Sequence, residues 1–331
     1  MEHYDVYGVG NALVDIVTEV DHSFFQSNEV EKGVMTLVDE HRQHVLMKAI
    51  DMKRSKMSCG GSAGNTVIAV NQFGGKSYYS CLVAHDELGK FFLEDLRRNG
   101  VETNLRFENT PEGITGKCLV MTSPDAERTM NTFLGISSFL SPEHLDEGAL
   151  SRSSYVYLEG YLVASPKGLE AMKMTKALAR KHGVKVALTF SDPSMVRYFS
   201  GQMEEIVGDG LDLLFCNEEE ALTFTGSDSL EDAREKLRQR AARFAITLGA
   251  NGALVFDGQS YVEVEPFPAR AIDTNGAGDM FAGAFLYAIC KGHSYVDAGR
   301  IASLASARIV SQRGPRMTPA EAREVLRSIS I

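Results

Sequence analysis

From Tyr155 onward, short apolar runs alternate with segments of helical character, and this rhythm restricts the chain to an α/β layering. Tyr155 to Leu158, Val184 to Leu188, Leu211 to Phe215, Phe244 to Leu248 and Ala253 to Phe256 read as strands. Leu169 to His182 reads as a helix stopped near Gly183, and Ser229 with Asp232 caps a helix entering the polar stretch Arg234 to Arg243. Asp257-Gly258 marks a hairpin from Ala253–Phe256 into Ser260–Val264, so a mostly parallel sheet with an antiparallel edge is expected.

A second set of strands comes earlier and is split: Leu13 to Val20, Gly33 to Leu37, Lys117 to Thr122 and Glu127 to Phe133, the last two joined by a turn at Ser123-Pro124-Asp125-Ala126. Paired together they make a small sheet outside the main body; paired otherwise they are edge strands of the main sheet. The 331 residues and 44% hydrophobic content support a sizeable core. The net charge of -10 is spread along the chain with no Lys/Arg run, which disfavours a nucleic-acid partner while leaving small phosphorylated ligands open. Five scattered cysteines without a CxxC pair fit reduced thiols. An acidic N-terminus without a signal core, and no apolar stretch of spanning length, lead to the expectation of a cytoplasmic protein with no membrane partner.

The stretch Asp273-Thr274-Asn275-Gly276-Ala277-Gly278-Asp279 opens the apolar helix pattern Met280 to Leu286. Backbone N–H groups of Gly276, Ala277 and Gly278 can face a phosphate unobstructed, where the helix terminus adds roughly half a positive charge. Asp279, one turn in, can take the proton of an attacking hydroxyl while those N–H groups stabilise the transferring group. A helix-start acid in a glycine-rich loop explains the same residues. Gly249-Ala250-Asn251-Gly252 after Thr247 is either a nucleotide-facing loop or a plain turn between strands. Asn217-Glu218-Glu219-Glu220 follows a strand, where Glu220 can organise hydrated magnesium or simply begin a solvated helix.

Near the N-terminus, Gly8-Val9-Gly10-Asn11-Ala12-Leu13 lacks the third glycine of a dinucleotide fingerprint and runs into extended sequence, against NAD. Asp15 can accept hydrogen bonds from two neighbouring hydroxyls, as a ribose diol offers, or serve as a strand-edge acid. In Cys59-Gly60-Gly61-Ser62-Ala63-Gly64-Asn65-Thr66, Gly61 permits close approach and Asn65 can donate and accept; a flexible loop with an Asn cap is the alternative.

Together, Gly60 to Thr66 and Asp273 to Asp279 closely resemble the two signature regions of the PfkB, or ribokinase-like, carbohydrate kinase family, in matching order and separation. Gly10 to Asp15, Asn217 to Glu220 and Thr247 to Gly252 extend the resemblance over nearly the whole chain. It implies a ribokinase-like α/β fold with a central mostly parallel sheet and a small β-sheet lid. The implied division is a large body of residues 1–12, 38–114 and 134–331 with a lid of 13–37 and 115–133. It further implies Asp279 as base, Gly276, Ala277 and Gly278 as anion hole, and Asn11, Asp15, Gly61 and Asn65 as substrate ligands. Asn217, Thr247, Gly249 and Gly252 are then cofactor contacts, Glu220 belongs to the magnesium region, and ATP, Mg2+ and a monovalent cation such as K+ near Asp273 are the expected accessories.

The segments 10–15, 60–65 and 217–221 look most like adenosine-kinase-like members, which implies Arg128 near phosphate and Tyr161 or Leu162 at the base. Ser191-Asp192-Pro193-Ser194 instead resembles an Asp-Pro segment of the family's sugar kinases. Phosphorylation of adenosine to AMP is therefore the expectation, with a ribose or fructose kinase and a non-catalytic nucleotide sensor as the competing readings. Monomer and homodimer both remain open.

Overall fold

The computed structural model describes residues 2–53, 55–125 and 128–329. Among these, thirteen strands run in chain order: β1 Tyr4–Val9, β2 Leu13–Glu19, β3 Met35–Leu37, β4 Lys56–Gly60, β5 Ser77–Ser80, β6 Gly116–Thr122, β7 Arg128–Phe133, β8 Ser153–Glu159, β9 Lys185–Thr189, β10 Leu213–Asn217, β11 Phe244–Thr247, β12 Ala253–Phe256 and β13 Tyr261–Val264. Eight of them form one sheet in the order β13-β12-β11-β10-β9-β8-β1-β5. Neighbours from β5 to β11 pair in parallel, and β11-β12-β13 turn antiparallel through the Asp257-Gly258 hairpin. This is the ribokinase-like α/β architecture.

Parallel central strands are buried on both faces, so they read as near-continuous apolar runs such as Leu213–Cys216. Apolar residues alternating across each strand feed two cores, one on either side of the sheet. Val6, Tyr157, Phe215 and Ala245 pack toward Phe281 and Phe285; Tyr7, Leu158, Leu214 and Ile246 face the other way. The helix Pro166–His182 ends at left-handed Gly183, as expected, but starts three residues before the expected Leu169, where Ser165 caps it and Pro166 takes its first position. The helix capped by Ser229 stops at Leu237, short of the expected Arg243, because the following residues turn back into β11.

The other five strands form a second sheet in the order β3-β7-β6-β2-β4. The four early strands read from sequence lie here. β4, which went unread, pairs antiparallel with β2, so a stretch within 38–114 belongs to the small sheet rather than to the large body. Its pattern explains the omission, since Lys56 and Met57 are exposed on an edge and only Cys59 and Gly60 are buried. Ala126 and Glu127, the end of the expected turn and the start of the expected strand, lie outside the described residues.

Candidate active site

A cavity of about 420 Å3 lies between the small sheet and the C-terminal ends of the parallel strands. Its wall includes Glu159, Thr189, Asn217 and Thr247, each the last residue of its strand, where open α/β sheets place ligands. From the small sheet come Leu13 and Asp15 of β2, Met35 and Leu37 of β3, Cys118 of β6, and Arg128, Met130 and Thr132 of β7. The two-residue spacing means that one face of this sheet supplies them all.

The glycine loop enters the same cavity. The helix Ala277–Cys290 begins at Gly276, whose φ of 75° is left-handed, and no side chain caps it. A Cβ on Gly276 would lie 2.3 Å from the Pro315 Cβ, so glycine is required on steric as well as conformational grounds. The Ala277 N–H makes a long turn bond of 3.3 Å to the Thr274 carbonyl. Thr274 through Asp279 all line the cavity, so this positive helix end opens onto it.

Asp279 is held from a second helix, Ser62–Gln72. Ser62 Oγ donates to Oδ1 at 2.7 Å and Asn65 Nδ2 to Oδ2 at 2.9 Å. Burial pushes its carboxyl up to about 6, while the Ser62 and Asn65 hydrogen bonds and the Arg316 charge pull the other way. A carboxylate at that value is ionised at neutral pH yet retains more basicity than an exposed aspartate, as a general base needs.

Asn11, Asp15, Gly61, Asn65 and Tyr161 all line this cavity, so five of the expected substrate positions converge. Burial pushes Asp15 up to about 7; Arg316 opposes this, Asp279 adds to it and Arg128 opposes it. Leu162 does not join them. It is 1% exposed and packs in the core beneath the sheet, because the short helical turn Gly160–Ala164 presents Tyr161 to the cavity and turns Leu162 inward. Leu134 reaches the wall and Phe133 does not.

Glu159 was missed in the sequence. It is 1% exposed, accepts from Asn11 Nδ2 at 2.8 Å, from Asn11 N at 3.2 Å and from Ala63 N at 2.8 Å, and so ties β1, β8 and the Gly61 turn together. Burial raises its carboxyl to about 7 against those three bonds. An acid ending the buried run Tyr155 to Leu158 before Gly160 was the available signal. Ser191, the cavity residue after β9, holds a left-handed φ of 71°, and its Oγ accepts from Gly160 N at 2.9 Å. Such backbone strain in a non-glycine residue is concentrated at functional sites.

Arg128 crosses from β7 and forms an ion pair with Asp273, whose carboxylate also accepts from Asn275 N at 2.8 Å and Gly314 N at 2.9 Å. In this arrangement the Asp273 carboxylate is engaged by the Arg128 guanidinium and by two backbone N–H groups. Arg128 lines the cavity, within the same wall as the glycine loop.

Asn217 and Glu220 form a reciprocal capping box on the helix Glu218–Thr225: Asn217 Oδ1 accepts from Glu220 N at 2.8 Å and Glu220 Oε2 from Asn217 N at 2.9 Å. Burial raises Glu220 to about 7, opposed by the Asn217 bond and assisted by the Asp192 and Glu219 charges. Among the described residues no group of three or more acidic, His or Cys side chains forms a metal cage. Glu220 brings one carboxylate to the cavity wall, a donor that fits a magnesium ion completed by water and phosphate oxygens. Thr247 reaches the cavity, but Gly249 and Gly252 do not; they close the short turn between β11 and β12. Among the described residues no helix is long and apolar enough to cross a membrane.

The model of the pfkB family carbohydrate kinases matches residues 34–322. A probable sugar kinase of Rhizobium etli CFN 42 superposes with a TM-score of 0.91 at 33% identity, over 99% of this chain and 100% of the other. Adenosine kinase from Sinorhizobium meliloti superposes with a TM-score of 0.90 at 32% identity, over 98% and 99%. Adenosine kinase of Saccharomyces cerevisiae is 25% identical over 329 residues, 93% of this chain and 95% of its own.

Proposed function

This chain belongs to the pfkB family of carbohydrate kinases, phosphotransferases acting on an alcohol group, and we propose that its acceptor is the 5′-hydroxyl of adenosine. Kinases of this family use ATP and typically Mg2+. The observation that carries the reading is the composition of the cavity wall. Asp279, Asn11 and Asp15 offer polar groups for a ribose, while Met35, Leu37, Met130, Leu134, Tyr161 and Met195 supply an apolar wall. A bare sugar has hydroxyls all round its ring and gains little from methionine and leucine side chains. A purine has two flat apolar faces, and thioether side chains adapt well to such rings. Similarity to the adenosine kinases of S. meliloti and S. cerevisiae supports the same acceptor.

In the proposed reaction the 5′-oxygen forms a bond to the γ-phosphorus as the bond from that phosphorus to the β–γ bridging oxygen breaks, and Asp279 takes the hydroxyl proton. Asp15 and Asn11 hold the ribose hydroxyls, with Gly61 and Asn65 beside them. Gly276, Ala277 and Gly278 present the positive helix end to the transferring group, and Glu220 with Asn217 would hold hydrated Mg2+. Magnesium supplies charge neutralisation at the phosphates. Thr247 adds a hydroxyl toward the nucleotide, and Gly249 and Gly252 shape the turn behind it. Arg128 moves between Asp273 and phosphate as the small sheet, acting as a lid, excludes water.

The test is ATP consumption across a panel of nucleosides and sugars, with the phosphorylated product identified by mass. AMP formed preferentially from adenosine is expected. A sugar phosphate as the preferred product overturns the acceptor and leaves the phosphotransferase. Similarity to the R. etli sugar kinase makes that the specific alternative.

A further inference from the structure

The segment Gly314-Pro315-Arg316, between the helices Tyr295–Val310 and Pro319–Ser328, touches the reaction centre at three points. Gly314 N donates to Asp273 at 2.9 Å, Pro315 lies against Gly276, and Arg316 Nε donates to Asn65 Oδ1 at 2.9 Å. The guanidinium also pairs with Asp95 of the helix Glu87–Arg98, and Gln312 Nε2 donates to the Arg316 carbonyl at 3.0 Å. A chain of contacts therefore runs from Asp95 through Arg316 and Asn65 to Asp279.

The chemistry of an amide gives this chain a direction. Asn65 carries an acceptor at one end and donors at the other, whereas a guanidinium can only donate. With Arg316 Nε on the amide oxygen, the nitrogen must face Asp279, where it donates at 2.9 Å. Turned over, the amide would set its oxygen against the Asp279 carboxylate, acceptor to acceptor, and its NH2 against the guanidinium, donor to donor. We propose that Arg316 is a positioning residue for phosphoryl transfer: anchored by Asp95, it locks the Asn65 amide so that its N–H stays on the Asp279 carboxylate.

The inference rests on the reading of Asp279 as general base. Two further observations suit it. Arg316 has a side-chain exposure of only 16%, so its guanidinium is withdrawn from solvent and held between Asp95 and Asn65. Its charge also lowers both Asp279 and Asp15 against the effect of burial. The other charged or titratable groups around Asp279 are Asp15 from β2, Glu159 and Tyr157 from β8, Tyr79 from β5 and Tyr161 from the turn after β8, while Arg128 acts on Asp15.

The test combines Arg316→Gln, Arg316→Lys and Asn65→Leu. Arg316→Gln is expected to lower kcat at least about tenfold, leave the KM for ATP within about threefold, and move the acid limb of the pH profile up by about one unit. Arg316→Lys keeps the charge without the planar fork, so kcat falls while the limb stays. Added to Asn65→Leu, Arg316→Gln should cost less than about twofold more, because its effect passes through Asn65. Multiplicative effects, or a limb unmoved in Arg316→Gln, overturn the proposal. If Arg316→Gln does not fold, Arg316→Lys in the two Asn65 backgrounds decides by the same additivity.

A readout free of turnover separates this idea from the acceptor assignment. The carboxyl carbon signal of Asp279, assigned through Asp279→Asn, is titrated in the wild-type chain and in Arg316→Gln without substrate. An upward move supports Arg316 even if no acceptor is phosphorylated, an outcome that would sink only the functional reading. An unmoved titration removes Arg316 from the site whatever the acceptor.

Discussion

Two helix starts at the cavity look alike in sequence and differ in what they leave available. Asn217-Glu218-Glu219-Glu220 and Asn275-Gly276-Ala277-Gly278-Asp279 each place an Asn, then an acid, at a helix N-terminus beside the same cavity. At the first, Asn217 and Glu220 satisfy each other's backbone, closing the terminus. At the second, Gly276 offers no side chain and Asp279 is turned toward Ser62 and Asn65 of another helix. At the capped terminus the Asn217 side chain occupies the Glu220 N–H, whereas the uncapped one has no side chain between its positive end and a ligand. Both acids are pushed up by burial, Asp279 to about 6 and Glu220 to about 7, so the shift alone does not tell them apart. Their hydrogen-bond partners do.

The contrast is broken most severely at Asp279. Asp279→Asn should reduce turnover at least about 100-fold while leaving ATP binding and the thermal midpoint near wild type. Because the base must be ionised, and its value stands near 6, kcat/KM in the wild-type chain should rise through a midpoint near that pH and level off about one unit above it. A profile flat down to pH 5 would detach this carboxylate from the chemistry.

Next comes Gly278, where an added Cβ meets nothing within 4 Å and so intrudes on the opening rather than on the core. Gly278→Val should cost roughly tenfold to a hundredfold in turnover, measured beside an unchanged unfolding midpoint. Smaller still is Glu220→Gln, which preserves the capping acceptor and removes only the charge. We expect a loss of turnover below about tenfold, recovered at higher magnesium. Complete insensitivity to magnesium would leave Glu220 as a cap and nothing more. The smallest effect belongs to Asn217→Ala, expected to lower stability by about 1 kcal/mol in a denaturant titration through loss of the capping box.

The same comparison explains what was legible in the sequence. The glycine loop, Asp279 and the Asn217–Glu220 pair are contiguous, so spacing alone exposes them. The parallel strands from β8 to β11 announce themselves because burial on both faces makes them apolar, whereas β5, buried but reading Ser-Tyr-Tyr-Ser, went unread. Ser62 and Asn65 reach Asp279 across 217 and 214 residues, and Arg316 reaches Asn65 across 251, distances at which no local pattern survives. Glu159 reads as the polar end of an ordinary strand until Asn11 and Ala63 are folded against it. β4 escaped because an edge strand with exposed Lys56 and Met57 carries little apolar alternation.

The most direct measurement is a crystal structure of the chain with adenosine and a non-hydrolysable ATP analogue. The account predicts γ-phosphoryl oxygens against the N–H groups of the Gly276 to Gly278 loop, and a 5′-hydroxyl about 3 Å from an Asp279 oxygen. Phosphates seated away from that loop, or a hydroxyl out of reach of Asp279, would contradict it.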